Sequence, residues 1–232
     1  MPTVLRPVIA LVVLVMLVRA GRHAWRGREV ARAVWSAIRP RHVAGSLALL
    51  VAVVGVAVLL VTVLPVTGLG LGSLAGLTGN AVFAPVEQVT AGSGGLAGGA
   101  SGESGRALAT TAAVLGFLGL LLLLFPWLAY VEERAFRMGL EGADLPRQIW
   151  VALRFGLLHL VMLIPVAAAL AIAVAGFVYG RIYRRAYRQA AAVEPSAVIA
   201  RREAVLASTV WHATFNSTVV VLFAAAYVLH AA

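Results

Sequence analysis

Residues 43–66 read VAGSLALLVAVVGVAVLLVTVLPV, a run of 24 residues without a charged side chain. A helix needs about 20 mostly apolar residues to cross the hydrocarbon core of a bilayer, so this stretch predicts a transmembrane helix. The whole chain shares the bias, because 62% of its 232 residues are hydrophobic and only 12% are charged. Such a composition excludes an ordinary water-soluble domain. The predicted fold class is all-α, a polytopic bundle of transmembrane helices.

Five further apolar runs predict transmembrane helices, giving about six spans in all: residues 4–18, 107–131, 149–163, 166–183 and 204–229. The third and fourth of these runs are kept apart because the 32 residues from 149 to 180 would make a helix of about 48 Å. That length exceeds a hydrocarbon core of roughly 30 Å, and Pro165 provides a break. The helix that starts at residue 107 is expected to continue as far as Gly142.

The charged residues predict the topology. The formal net charge is +10, from 19 arginines and no lysine against nine acidic residues. Seven arginines lie in residues 19–42 and six in residues 181–202. The positive-inside rule places both clusters in the cytoplasm only if residues 149–183 cross the membrane twice. The charge therefore needs no nucleic acid as a partner, and residues 19–42 are predicted to form an amphipathic helix on anionic lipid. Three aromatic residues are expected at the same interface: Trp150, Tyr179 and Tyr183.

Composition divides the chain into three parts. Residues 1–66 hold two spans and the basic segment between them. Residues 67–106 hold 12 of the 23 glycines, which predicts a flexible, non-cytoplasmic loop. Residues 107–232 form a membrane core with the remaining four spans. The chain contains no cysteine, so disulfides, thiolate metal sites and cysteine nucleophiles are excluded.

A small set of polar side chains lies within the predicted spans. An ionisable side chain at membrane depth is costly and usually faces a cavity, a partner or a functional site. Counted from the predicted helix ends, these groups lie roughly 12 to 15 Å from the cytoplasmic side. They are Glu132, Glu133, His159, His212 and Asn216. Each alone has a structural interpretation, as a salt-bridged acidic pair, a histidine between helices or an interhelical amide hydrogen bond. Their joint occurrence favours a functional site.

The same residues form three short motifs in a fixed order. Residues 132–137 (EERAFR) match EExxxR, residues 155–159 (FGLLH) match FxxxH, and residues 212–216 (HATFN) match HxxxN. On successive membrane helices this set resembles the CPBP family of intramembrane proteases, also called the ABI family, which includes the CAAX prenyl proteases of type 2. The resemblance covers about residues 115–223, and it does not extend to the first two spans or the glycine-rich part.

The resemblance implies an intramembrane endopeptidase that hydrolyses a peptide bond of a membrane-associated peptide or protein, with residues 107–232 as the catalytic core. By analogy with the family, Glu132 activates a water with His159 as its partner. His212 and Asn216 then stabilise the oxyanion. Two further residues are implied as supporting ones: Arg137, which can pair with Glu133 at i, i+4, and Phe155, which shares a helix face with His159.

The sequence does not decide whether a cofactor is bound, and it leaves two alternative functions. Glu132, His159 and His212 would be the ligands if a divalent metal such as zinc were bound, but HExxH is absent and a metal-free mechanism is slightly favoured. A non-catalytic membrane protein that acts by binding, for instance in immunity to a peptide, is one alternative. A proton or metal carrier is the other. The preference for Arg over Lys and for Ala, Gly and Val predicts a bacterial cytoplasmic membrane. The resemblance to the CPBP family implies a site that opens toward the cytoplasm.

Overall fold

The computed structural model describes residues 2–70 and 101–231. Seven α-helices account for most of this part of the chain, and it contains no strand, only an isolated bridge between Gly70 and Pro165. The helices are α1 (Pro2–Arg26), α2 (Arg28–Ala37), α3 (Pro40–Val63), α4 (Ser101–Arg137), α5 (Leu145–Leu158), α6 (Val166–Ala191) and α7 (Ala197–Ala231). The predicted all-α helix bundle is confirmed.

Five of the described helices contain stretches long and apolar enough to cross a membrane: Val8–Arg26, Pro40–Val63, Leu108–Arg137, Val166–Ala191 and Ala197–Leu229. They indicate an integral membrane protein. The sixth predicted span corresponds to α5, which has 14 residues and is extended by a 3-10 turn at His159–Met162. At about 21 Å for the α-helix and 8 Å for the turn, this unit is shorter than the other spans.

The chain reverses direction between α5 and α6, as the predicted break at Pro165 requires. Leu163 has the left-handed φ of 63°, and Pro165 caps the start of α6. Gly156 of α5 lies against Ala169 and Ala173, which are early in α6. Gly176, which is later in α6, lies against Phe155, which precedes Gly156 in α5. The order of the contacts is reversed, so the two helices pack antiparallel. Small residues allow this close approach between membrane helices. Ala171 and Ala175 of α6 are also buried, and they pack with Val53 of α3 and Phe215 of α7, so α6 is covered on more than one side.

Both arginine clusters lie at one end of the bundle, hereafter the arginine-rich end. Arg41, at the start of α3, lines the same cavity as Arg185 of α6. At the opposite end, the segment after α3 contacts the α5–α6 turn, where the Val166 N–H donates to the Leu69 carbonyl at 3.0 Å. This arrangement agrees with the double crossing predicted for residues 149–183, since a single crossing would separate the two clusters.

The basic segment 19–42 is not one helix. It comprises the end of α1, all of α2 and the start of α3. The break occurs at Gly27, where a β-carbon would lie 2.1 Å from the Trp127 ring of α4. In α2 the side chain of Val34 is fully buried, whereas Arg32 and Trp35 are exposed. Only α2 is therefore amphipathic, and its buried Val34 packs against Ala129 of α4 and Val210 of α7. The predicted contact with anionic lipid stays a prediction.

Several predicted helix boundaries are wrong. α4 ends at Arg137 rather than near Gly142, because the chain turns at Gly139, whose φ of 91° favours glycine. α7 begins at Ala197, before the predicted start at residue 204, so Arg201 and Arg202 are part of the helix. α4 begins at Ser101, inside the predicted glycine-rich loop. The rest of that loop, residues 71–100, lies outside the described residues.

A hydrogen-bonded turn joins α4, α6 and α7 at the arginine-rich end. The Glu141 carboxylate accepts from the Tyr183 hydroxyl at 2.7 Å and from Arg201 Nε at 2.8 Å. Arg184 Nε donates to the Glu141 carbonyl at 3.4 Å. Burial of this carboxyl opposes its ionisation, but the hydrogen bonds from Tyr183 and Arg201 outweigh the effect and lower the pKa of Glu141. Residues 138–144 are thereby fixed to two spans.

Candidate functional site

The centre of the site is an ion pair within α4. Glu133 is fully buried, and its Oε2 lies 3.1 Å from Nε of Arg137, which is 1% exposed. Nη2 of Arg137 is 3.4 Å from Oε1 of Glu133. The two residues share a helix face at i, i+4, as predicted from the sequence. Because an unpaired buried charge is strongly destabilising, each residue requires the other.

His212 of α7 joins the two adjacent glutamates of α4. Its Nδ1 lies 3.1 Å from Oε1 of Glu133, and its Nε2 lies 3.8 Å from Oε2 of Glu132. An ionised carboxylate can only accept a hydrogen bond, so Nδ1 carries the hydrogen. In the neutral imidazole the lone pair is then on Nε2, the nitrogen that faces Glu132. Glu133 therefore orients His212, and Ser208, one turn earlier on α7, also interacts with this carboxylate.

Glu132 and Glu133 have different environments. The Glu132 side chain is 34% exposed, whereas that of Glu133 is fully buried. Oε2 of Glu132 is nevertheless buried, and it accepts no hydrogen bond from any residue that the structure describes. Of the two carboxylates, Glu132 is thus the accessible one with an unused acceptor, and Glu133 is the saturated one.

Phe155 of α5 forms the apolar wall of the site. It is 1% exposed and makes edge contacts with His159 at 5.0 Å and His212 at 5.6 Å between ring centroids. The Arg137 guanidinium lies over its face, 4.7 Å from the centroid, which adds a cation–π contact to the buried ion pair. Phe155 therefore contacts both histidines and also the arginine that neutralises Glu133.

His159 follows α5 directly, at the start of the 3-10 turn. Its Nδ1 lies 2.9 Å from the carbonyl oxygen of Phe155. A carbonyl can only accept, so Nδ1 is the donor and Nε2 holds the lone pair of the neutral ring. Within residues 2–70 and 101–231, no hydrogen bond or ion pair joins His159 to either glutamate. The predicted partnership of His159 with Glu132 stays a prediction.

Asn216 lies one turn after His212 on α7 and is half-buried. The next residue, Ser217, has a buried Oγ that finds no hydrogen-bond partner in the described part of the chain. The structure thus brings Glu132, Glu133, Arg137 and His212 into direct contact or near contact, and Phe155 links His159 to them. Asn216 is placed beside this cluster by the helix that carries His212.

Tyr179 of α6 belongs to the site, although the sequence analysis assigned it to an interfacial belt. That prediction is wrong, because Tyr179 and Tyr183 are 1% and 0% exposed. The Tyr179 ring stacks on the His212 imidazole, with centroids 4.8 Å apart and planes 19° apart. Its buried hydroxyl has no hydrogen-bond partner among the described residues. Gly176 and Gly180 are about one helix turn apart. This spacing of small residues is the sequence signal that could have indicated a packed face of α6 near Tyr179.

The side chains do not form a metal site in this arrangement. No group of three or more His, Asp or Glu residues in the described ranges is placed to hold a metal ion. Phe155 contacts both histidines of the conditional triad of Glu132, His159 and His212. Nδ1 of each histidine faces an oxygen of the protein, so Nε2 is the ring nitrogen left for another partner.

The chain was compared with protein-family profiles, curated proteins and solved structures, and it matches none of them.

Proposed function

We propose that the protein is an intramembrane endopeptidase that hydrolyses a peptide bond in a membrane-associated peptide or protein. The observation that carries the proposal is the pair of adjacent glutamates joined by one histidine. Glu133 is buried and paired, whereas Glu132 keeps a buried oxygen without a hydrogen bond from the described residues, 3.8 Å from His212 Nε2. The order of the three motifs supports the same reaction, through their resemblance to the CPBP family.

The proposed reaction uses Glu132 as the general base. Glu132 removes a proton from a water, and the oxygen of this water forms a bond to the carbonyl carbon of the substrate. The tetrahedral intermediate then collapses, the carbon–nitrogen bond breaks, and the proton held by Glu132 passes to the leaving amine. Atoms and charge balance without a further reactant. The products are a carboxylic acid and an amine, which become a carboxylate and an ammonium group when the proton passes from one to the other.

The other side chains have separate roles in this reaction. Glu133 and Arg137 fix His212 so that one imidazole nitrogen faces Glu132, which is positioning rather than chemistry. The Asn216 amide is the proposed donor to the developing oxyanion, and a donor already in place is effective where water is excluded. The His212 ring can add a second hydrogen bond only as an imidazolium, because the Nδ1 hydrogen of its neutral form is used by Glu133. His159, with its Nδ1 bonded to a carbonyl, presents Nε2 as the second base or as the proton carrier.

The proposed orientation follows the positive-inside rule, with the arginine-rich end in the cytoplasm of a bacterial cell. Glu132 and Glu133 then lie on the cytoplasmic half of the bundle, close to the end of α4 at Arg137. The substrate reaches the site from the bilayer or from the cytoplasmic surface. A membrane-embedded peptide is therefore the expected substrate class.

Comparison of protein termini in cells tests the proposal. Cells that lack the protein are complemented with wild type or with Glu132→Gln, which keeps the side-chain volume and removes the base. We expect a set of new peptide termini in membrane proteins with the wild type, and a loss of at least about hundredfold in those products with the variant. Glu203→Gln, which changes an exposed glutamate of α7, is the matched control and is expected to give the wild-type products.

Full production of the termini by both Glu132→Gln and His159→Ala would rule out the catalytic assignment. Resistance of cells to an antimicrobial peptide that is retained by these variants would instead favour a binding or immunity function. Zinc uptake into proteoliposomes that disappears with His159→Ala would favour a carrier. The three functions thus give different results with the same variants.

A further inference from the structure

We propose that a cavity at the arginine-rich end, between α3, α6 and α7, binds the phosphate headgroup of an anionic phospholipid. This inference is independent of the peptidase proposal, because it rests on different side chains. The cavity has a volume of about 500 Å³. It is therefore large enough for a phosphodiester and the first atoms of its glycerol group.

The cavity combines cations with an apolar wall. Arg41 and Arg185 contribute the charge and Gln189 adds an amide, whereas Ile182 and Trp211 form much of the apolar side. No acidic residue is among the side chains that line it. His42, the remaining titratable group, has Nδ1 occupied by the Arg39 N–H at 3.0 Å and is close to Arg41. The charge complementarity is thus with an anion.

The arginines of the cavity have no counter-charge among the residues that the structure describes. In the described residues, neither Arg41 nor Arg185 makes a hydrogen bond or an ion pair. A second groove of about 470 Å³ shares Ile182 and Arg185 with the cavity and adds Arg181 and Arg188, which are equally unpaired in the part of the chain that the structure describes. Elsewhere at this end, by contrast, Arg201 is paired with Glu141. The cavity and the groove thus bring together four arginines that are unpaired in the described residues: Arg41, Arg181, Arg185 and Arg188.

The position of the cavity favours a lipid over a soluble anion. It lies where the apolar parts of α3 and α6 end, and the adjoining groove continues along Phe177 and Val178 of α6. Acyl chains can follow this apolar surface into the bilayer while the phosphate accepts charge-assisted hydrogen bonds from Arg41 and Arg185. A free phosphate would use the cations alone and leave the apolar wall uncovered.

Retention of lipid on the purified protein tests the site. The full chain is reconstituted in phosphatidylcholine vesicles with a minor fraction of phosphatidylglycerol, extracted in mild detergent, and analysed for bound lipid by native mass spectrometry. We expect the wild type to retain phosphatidylglycerol in preference to phosphatidylcholine. The double variant Arg41→Gln with Arg185→Gln is expected to retain at least about tenfold less, because two charge-assisted hydrogen bonds are removed.

A second pair of arginines provides the control for charge alone. Arg147→Gln with Arg202→Gln removes the same charge from exposed positions outside the cavity, and we expect it to change retention by less than about threefold. Equal losses in both double variants would overturn the proposal in favour of a diffuse effect of charge. If the cavity variant does not fold, as judged by size exclusion, Arg41→Gln alone changes an exposed side chain and gives the same test.

Competition separates the two sources of phosphate. Millimolar inorganic phosphate is added at constant ionic strength to the lipid-loaded protein. We expect no more displacement of phosphatidylglycerol than with chloride, because the acyl chains contribute to binding. Displacement by phosphate at these concentrations would overturn the lipid assignment and identify a site for a soluble anion.

Discussion

Two adjacent residues of α4 approach one imidazole from different sides. Successive residues on a helix differ by about 100° in direction, so Glu132 and Glu133 cannot share an environment. His212 uses Nδ1 for Glu133 at 3.1 Å and faces Glu132 with Nε2 at 3.8 Å. The buried, neutralised Glu133 therefore fixes the orientation of the His212 ring relative to the accessible Glu132. This division of roles follows from side-chain burial, which the motif EExxxR does not contain.

The Tyr179 hydroxyl gives a test at the residue scale. A buried hydroxyl without a partner destabilises a fold, so Tyr179→Phe is expected to raise the free energy of unfolding by about 1 kcal/mol while it keeps the stacked ring. The same change is expected to lower peptidase activity by at least about tenfold, because the hydroxyl is then lost as a donor beside His212. Chemical unfolding in detergent and peptide cleavage measure the two effects.

Tyr227→Phe is the control for removal of a tyrosine hydroxyl, because Tyr227 is half-buried on α7 and outside the site. It is expected to leave activity unchanged. A Tyr179→Phe protein with lower stability and wild-type activity would show that the hydroxyl has a structural partner and no role in the reaction.

The contact between α5 and α6 determines where Phe155 and Tyr179 lie. A β-carbon at Gly156 would be 2.3 Å from the Ala169 carbonyl oxygen and 2.8 Å from the Ala173 β-carbon. Gly156→Ala is therefore expected to separate the helices and to cost about 1 to 3 kcal/mol of unfolding free energy. Thermal unfolding in detergent measures the cost.

Gly116→Ala provides the matched substitution, since Gly116 is an exposed helical glycine of α4 with no atom within 4 Å of a new β-carbon. The free energy of unfolding of the Gly116→Ala variant is expected to stay unchanged or to rise by up to about 1 kcal/mol. Similar melting temperatures for the Gly156 and Gly116 variants would contradict the close packing of α5 on α6.

The turn between α4 and α5 makes stability depend on pH. The pKa of Glu141 is lowered in the folded protein, so its ionised form stabilises the fold at neutral pH. This stabilisation is present above the ordinary glutamate pKa and is lost as the pH falls through the lowered value. We expect Glu141→Gln to be less stable than the wild type at pH 7 and the difference to shrink below about pH 4. Unfolding midpoints at a series of pH values measure this.

Glu203→Gln serves again as the reference, because Glu203 is exposed on α7 and forms no hydrogen bond or ion pair within the described ranges. Its difference from the wild type is expected to be small at every pH. A constant difference between wild type and Glu141→Gln down to pH 3 would show that the carboxyl is held by its shape and not by its charge.

At the scale of the whole molecule, the topology can be tested directly, because the chain has no cysteine. Single cysteines at Val193 and Gly142, at the arginine-rich end, are expected to react with a membrane-impermeant thiol reagent only from the cytoplasmic side. Cysteines at Ile164 and Gly95 are expected to react only from the opposite side. Labelling of intact cells and of inverted vesicles distinguishes the two sides. Reaction of positions 193 and 164 from the same side would rule out two full crossings by α5 and α6.

The sequence predicted the bundle well, because hydropathy and the positive-inside rule depend on composition over long windows. It located the break at Pro165 and the pairing of Glu133 with Arg137, which both follow from local chain geometry. It did not predict the burial of Tyr179, since an interfacial tyrosine and a packed one look alike until the neighbouring helix is known. The predicted end of α4 was wrong because the chain turns at Gly139. The predicted start of α7 was wrong because Arg201 and Arg202 do not interrupt the helix.

The order of synthesis adds a consequence of the Glu133–Arg137 pair. The two residues neutralise each other within one helix, so α4 can leave the insertion machinery with its charges already matched, before α5 to α7 are made. His212 belongs to α7, which emerges later, and until then one oxygen of Glu133 lacks its imidazole partner. The contact between Glu133 and His212 is therefore made only when α7 docks against α4.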